Sequence, residues 1–294
     1  MERRTTRRAW LEGSGALLAG LLAPGVARAK PAEKSRVVLI RDKDVFDEKG
    51  KLRAEVLERM LDRGVTSLLR LDGKQPARAW KRLFKPSDVV GIKSNVWAHL
   101  PTPPALEAAL RSRVLGAGVS AGNVSVDDRG VLRNKVFARA SALINVRPMR
   151  THHWAGVGSL IKNYIMFVPR PYQYHGDSCA DLAAIWKLPH LRGKTRLNVL
   201  VMLTPLFYGI GPHHYDARYV WRYNGLLLGT DPVAVDATGL RIIMAKRRAH
   251  FGEERRMRPP AKHIRLADTR HKLGNADPRR IELVRLGWAE GRLI

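Results

Sequence analysis

Val89-Val90-Gly91-Ile92 is a short apolar run, and Lys93-Ser94-Asn95 follows it without a break. An apolar run of this length, bounded at once by polar residues, reads as a buried strand. The same pattern recurs at residues 37–40, 124–126, 143–146, 197–203, 226–228 and 281–284. Helical periodicity fills the intervals at 54–62, 103–115, 158–167, 179–186 and 232–247, with a short stretch at 264–271. Strands alternating with helices predict an α/β fold: a mainly parallel central sheet with helices on both faces. Residues 205–224 show no period and hold His213, His214 and several tyrosines, so they read as a long loop.

In open α/β sheets, ligands bind beyond the carboxyl ends of the strands. The residues that follow each apolar run are therefore the candidates. They are Lys93, Ser94 and Asn95; Asp127 and Asp128; Arg147 to Arg150, then Thr151, His152 and His153; Thr204 and the His213-His214 loop; and Thr230 with Asp231. If the strands run parallel, these groups meet at one edge.

Lys162-Asn163 interrupts a predicted helix that is apolar on nearly every side, between Leu160-Ile161 and Tyr164-Ile165-Met166-Phe167. A charge there needs a buried partner. Gly156 and Gly158 precede it, and the first amides of such a helix can bind a phosphate or a carboxylate. Pro232 suits the first position of the next long helix and Asp231 its cap, which leaves capping and ligand binding both open for Asp231. Asp236 falls three residues after Val233 and four before Leu240, on the apolar face. A carboxylate on that face is costly unless paired, and Lys93 or Lys162 is the expected partner.

The 294 residues carry a net charge of +27. Such a field attracts anions. The charge is dispersed and not interleaved with stacking aromatics, so no nucleic-acid partner is expected. A single cysteine, Cys179, can form no internal disulfide and cannot hold an iron–sulfur cluster, so no such cluster is expected. Beyond that exclusion the cofactor is unknown. His152-His153 and His213-His214 invite a metal reading, but HExxH and paired cysteines are absent and the surroundings are cationic, so no metal ligand is assigned. A histidine acting as acid, base or anion donor fits better.

The first 29 residues read as a twin-arginine signal peptide. Thr6-Arg7-Arg8-Ala9-Trp10-Leu11 supplies the charged start, residues 16–23 a mild apolar stretch, and Ala27-Arg28-Ala29 a small-x-small cleavage site before Lys30. Residues 30–294 then form a single α/β domain. The expected partners are the twin-arginine translocation machinery and an anionic small molecule, and the expected location is periplasmic or extracellular. No run reaches the roughly 18 apolar residues of a spanning helix, so the mature chain is expected to carry no transmembrane segment.

Several stretches together resemble the domain-of-unknown-function 362 (DUF362) family. They are Val89 to Asn95, Ile144-Asn145-Val146-Arg147-Pro148-Met149-Arg150-Thr151-His152, Lys162-Asn163, and Gly229-Thr230-Asp231-Pro232-Val233-Ala234-Val235-Asp236. A weaker likeness runs from Ala267 to Val284. The resemblance implies an α/β domain with a site around Lys93, Asn95, His152, Lys162, Asn163 and Asp236. Arg150 stands where the family pattern has lysine, which keeps the charge and changes its geometry. Some relatives carry a ferredoxin-like cysteine segment and look redox-linked; this chain lacks it. A distant likeness to lactate-racemase-type proteins points instead to isomerase-like chemistry.

The resulting expectation is an exported enzyme or cofactor-binding protein holding an anionic small molecule. Lys93, Arg150 and Lys162 hold the anion, His152 moves a proton, and Asn95, Asn145 and Asn163 orient the ligand, with Asp231 and Asp236 nearby. The alternatives are a non-catalytic binding protein for anionic ligands and a metal-handling protein built on His152, His175 and His213.

Overall fold

A computed structural model describes residues 34–73, 75–209 and 215–294. The expected leader and the His213-His214 pair lie outside the described residues. In chain order the elements are β1 (Ser35–Arg41), α1 (Ala54–Leu68), α2 (Pro76–Leu83), β2 (Val90–Lys93), α3 (Pro104–Gly116), β3 (Val124–Asp127), α4 (Lys135–Ala138), β4 (Ala142–His152), β5 (Gly156–Gly158), α5 (Leu160–Asn163), α6 (Gly176–Cys179), β6 (Thr195–Leu206), β7 (Gly225–Gly229), α7 (Pro232–Phe251), α8 (Lys262–Thr269) and β8 (Ile281–Gly287).

The described strands form one sheet in the order β3-β2-β4-β6-β7-β1-β8, with β5 paired to β4. The pairs β2–β3, β2–β4, β4–β6 and β1–β8 are parallel. Both faces are apolar, as a sheet covered on two sides requires. Val38, Ile40, Ile92, Val146 and Val199 pack under α1, α2 and α3 on one face. Val37, Leu39, Leu143, Met149 and Leu200 pack under α5 and α7 on the other. The alternation of Val37 and Leu39 against Val38 and Ile40 is the two-residue period of a strand. On α1, Val56, Leu57, Met60, Leu61 and Val65 are buried at helical spacing.

The expected α/β architecture is present, and every expected strand forms. Strand β7 departs from the parallel run: it lies antiparallel to both β6 and β1. Its carboxyl end therefore points to the edge opposite that of its neighbours. Thr230 and Asp231 go with it.

Two expected helices are broken. The stretch 158–167 begins in β5, makes one α-turn at α5 and continues as a 3-10 turn, Tyr164–Phe167. The stretch 179–186 cannot start as a helix because Asp177, Ser178 and Cys179 have φ of 48°, 56° and 61°. Left-handed backbone costs a non-glycine residue about 1–2 kcal/mol, and a 3-10 turn follows only at Leu182–Lys187. Helix α2 was not expected; its apolar side is only Ala79, Trp80 and Leu83 among basic residues.

Candidate functional site

Chain leaving β2 goes to α3 on one face, while chain leaving β4 goes through β5 to α5 on the other. Diverging connections open a crevice at the carboxyl ends of these two strands. A cavity of about 220 Å³ occupies it, lined by residues that include Asn95, Trp97, Asp128, Arg129, Arg147, Arg150, His152, Lys162, Asn163 and His175. Of the residues expected at the site, Asn95, Arg150, His152, Lys162 and Asn163 line this cavity.

Lys93 lies just beneath, fully buried. Its ammonium donates to Ser94 O at 2.6 Å, Asp128 Oδ1 at 2.5 Å and Asn163 Oδ1 at 3.2 Å. All three protons are used. Lys93 is therefore a structural cation and not a free anion holder. Burial lowers it to about 8, with Asp128 opposing the shift. Burial pushes Asp128 up, but Lys93 and the Val96 N–H outweigh it and hold the carboxylate below its ordinary value.

A buried amide thread extends this floor across the sheet. Asn163 Nδ2 donates to Asn145 Oδ1 at 2.8 Å, Asn145 Nδ2 donates to Asn198 Oδ1 at 3.3 Å, and Asn198 Nδ2 donates to Thr230 O at 3.1 Å. Lys93, Asn145 and Asn198 sit in one row of the ladder. Asn145 thus orients Asn163 from below and does not face the cavity.

The cavity wall differs. Arg147, Arg150 and Lys162 are 4%, 4% and 3% exposed. Strand alternation would send Arg147 and Arg150 to opposite faces, but a register shift between Pro148 and Arg150 breaks it. Both guanidiniums close on Gly158. Arg147 Nη2 and Arg150 Cζ stand 2.8 and 3.4 Å from where a Cβ on Gly158 would be. Among the described residues Arg147 makes no hydrogen bond or ion pair, and its Nε is buried without a partner. Arg150 donates only to Thr151 O at 3.3 Å, with its guanidinium 3.9 Å from the Trp97 ring centre. Burial pulls Arg147 down to about 10. Burial, then repulsion from Arg147, pushes Arg150 down as well.

Lys162 has no carboxylate within salt-bridge distance among the described residues. Its hydrogen-bond contact is Cys179 Sγ at 3.8 Å. Burial raises the thiol pKa against the pull of Lys162, so Cys179 stays neutral and is no counter-ion. Burial lowers Lys162 to about 8, with Arg147 and Arg150 adding to the shift.

His152 Nδ1 accepts from the Trp154 N–H at 3.1 Å, which leaves Nε2 as the protonated nitrogen of a neutral ring. Burial, then Lys162, Arg150 and Arg147, drives its pKa far down. Burial and Lys162 likewise lower His175, to about 4. Both rings are neutral at pH 7. Among the described residues no group of three His, Cys, Asp or Glu side chains is placed to hold a metal ion.

Asp236 does not pair with Lys93 or Lys162, as was expected. It accepts from Ser159 Oγ at 2.6 Å, Leu160 N at 2.9 Å and Ile161 N at 2.8 Å. The amides that open α5 thus bind a carboxylate from within the protein. Burial raises Asp236 to about 6, with these three donors opposing it. Asp236 holds in place the turn that carries Lys162 and Asn163. Asp231 is not brought to the crevice. It caps α7 through Val233 N at 2.8 Å and Ala234 N at 3.1 Å, and accepts from Ser35 Oγ and Asn275 N.

Residues 119–241 match the family model described as Domain of unknown function (DUF362). The match supports the DUF362 resemblance over this segment. The segment contains the cationic wall, Asp128 and Asp236, while Lys93, Asn95 and Trp97 precede the matched residues. No curated protein and no solved structure matches the chain.

Sequence reasoning placed Asp128 and Arg147 among the strand-end candidates without giving either a role, and it did not single out Trp97 or Asn198. Arg147 and Asp128 carried a usable signal, since each follows an apolar run at a strand end. Asn198 is the one polar residue in the apolar run 197–203, and that was its signal. Larger clefts lie elsewhere, among them two of about 540 and 520 Å³. The first includes buried Arg247, whose guanidinium is closed by the carbonyls of Phe207, Arg255 and Arg256. The second has no fully buried cation.

Proposed function

We propose that this protein is exported and binds an anionic small molecule in the crevice between β2 and β4, acting on it by proton transfer. One observation carries the reading. Four cations line the cavity, and its single carboxylate, Asp128, is already bonded to Lys93. Burying charge without a partner is costly, so a site of this kind is balanced when an anion enters. Arg147 and Arg150 offer the donors that lack partners, and a planar guanidinium suits a carboxylate or phosphate.

In this reading Lys162, and not His152, moves the proton. A group near 8 is partly deprotonated at neutral pH and exchanges protons at little cost. His152 instead donates through Nε2. Asn163 and Asn95 orient the ligand, and Asn95 Oδ1 is buried without a partner. The Thr6-Arg7-Arg8 leader supports export to the periplasm or beyond, by the route that moves folded proteins.

Native mass spectrometry of protein recovered from its own periplasm tests the whole. The expected result is a retained anion on the wild type that is missing from Lys162→Met. A bare wild-type chain, or equal retention by both, contradicts the reading.

A further inference from the structure

The rim of the cavity differs from the rest of the surface. Among the described residues five large apolar side chains are exposed, and four lie within three positions along the chain of a cavity-lining residue. Val96 lies between Asn95 and Trp97, Leu132 three residues past Arg129, Trp154 two past His152, and Tyr172 next to Pro171. Tyr172 is 67% exposed and Trp154 46%. Apolar exposure gathered at one place marks a binding surface.

Size makes the same point. Cavities that enclose a ligand of ordinary size run to about 300–1,000 Å³, and this one holds about 220 Å³. It has room for an oxyanion head. The remainder of the molecule must lie over the rim.

The rim is built chiefly of rings. Trp97 sits on Arg150 and is followed by His99 at 5.0 Å, which stacks on Tyr215 at 4.3 Å. Trp154 sits 4.0 Å from His175. One stack is rooted on Arg150 and the other on His175, and both of these residues line the cavity.

We infer that the anion held here carries a planar aromatic body, which lies against Trp97, Trp154 and Tyr172 while its charged head meets Arg147, Arg150 and Lys162. This rests on the anion-binding reading above. Flat rings offer stacking area at low entropic cost, and stacking adds to affinity without demanding one particular ring.

Calorimetry at fixed ionic strength tests it with two probe series: inorganic phosphate, phenyl phosphate and 2-naphthyl phosphate, then acetate, benzoate and 2-naphthoate. Affinity should rise about ten-fold or more along at least one series. In Trp154→Ala/Tyr172→Ser, both positions being exposed, the ratio between the last and first probes should fall towards one. If the small anions bind and the wild-type ratio stays near one, the inference is overturned and the anion reading survives. If no probe in either series binds, both fall. If vesicles containing phosphatidylglycerol bind through Trp154 and Tyr172 while the ratio stays near one, the rim meets a membrane and the inference is again overturned.

Discussion

The floor and the wall of the crevice hold one buried lysine each, and burial draws both to about 8. On the floor, Lys93 spends its three protons on Ser94, Asp128 and Asn163. In the wall, Lys162 meets a neutral thiol, neutral histidine rings and two guanidiniums, and no carboxylate within salt-bridge distance among the described residues. The floor is finished as protein, whereas the wall is electrostatically incomplete. The same residue type, equally hidden, is structural in one place and open to a ligand in the other, and the difference lies wholly in the partners.

That contrast breaks most visibly at the floor. Lys93→Met leaves Asp128 buried and unpaired, and urea unfolding should show a loss of about 3–5 kcal/mol. If stability is unchanged, the floor is not the closed network described. The wall should respond with the opposite sign. Lys162→Met removes an uncompensated buried charge, so without ligand at pH 7 it should stabilise by about 1–3 kcal/mol while abolishing anion binding. Groups kept at a cost in stability are expected at functional sites.

Asp231→Ala gives a smaller effect and sharpens the contrast from outside. A lost helix cap costs about 1 kcal/mol. Because Asp231 belongs to the other edge, anion affinity measured by calorimetry should not change. A fall in affinity would place Asp231 in the site after all.

A further effect is a slope with pH. Lys162 in the folded protein lies near 8, below its ordinary 10.5. Between these values the unfolded chain binds more protons than the folded one, so stability rises with pH from about 8 to about 10.5. Below that window both states hold the proton and the full cost of the buried charge is present. Lys93 adds to the slope in the wild type. The slope should therefore be shallower in Lys162→Met, as read from unfolding midpoints at several pH values. Asp236 works in a different window. Its folded value near 6 exceeds the ordinary 3.8, so stability falls as pH rises between the two.

The strands were legible because apolar runs bounded by polar residues have few other readings. The direction of β7 was not read, although a signal existed. No helical pattern separates 197–203 from 226–228, and a parallel neighbour needs a crossover that is usually helical. That missed reversal is why Asp231 was expected at the site. Lys162 and Asp236 were visible as charges on apolar surfaces, but their partners were not, because pairing depends on which distant elements pack together. Arg147 was hidden by its spacing from Arg150. Two-residue alternation places them on opposite faces, and only the register shift after Pro148 brings them together. The stretches 158–167 and 179–186, expected as single helices, were misread for a related reason. Their apolar residues serve packing around Tyr164 and Trp186, whose rings stack at 3.9 Å, and not one helical stripe.

The central claim is that Arg147, Arg150 and Lys162 form a cationic wall awaiting an anion. The most direct measurement is the unfolding free energy of wild type and Lys162→Met at pH 7, titrated with inorganic phosphate at constant ionic strength. The wild type should start lower and gain stability saturably, while the variant starts higher and does not respond. Parallel responses in the two proteins would contradict the account.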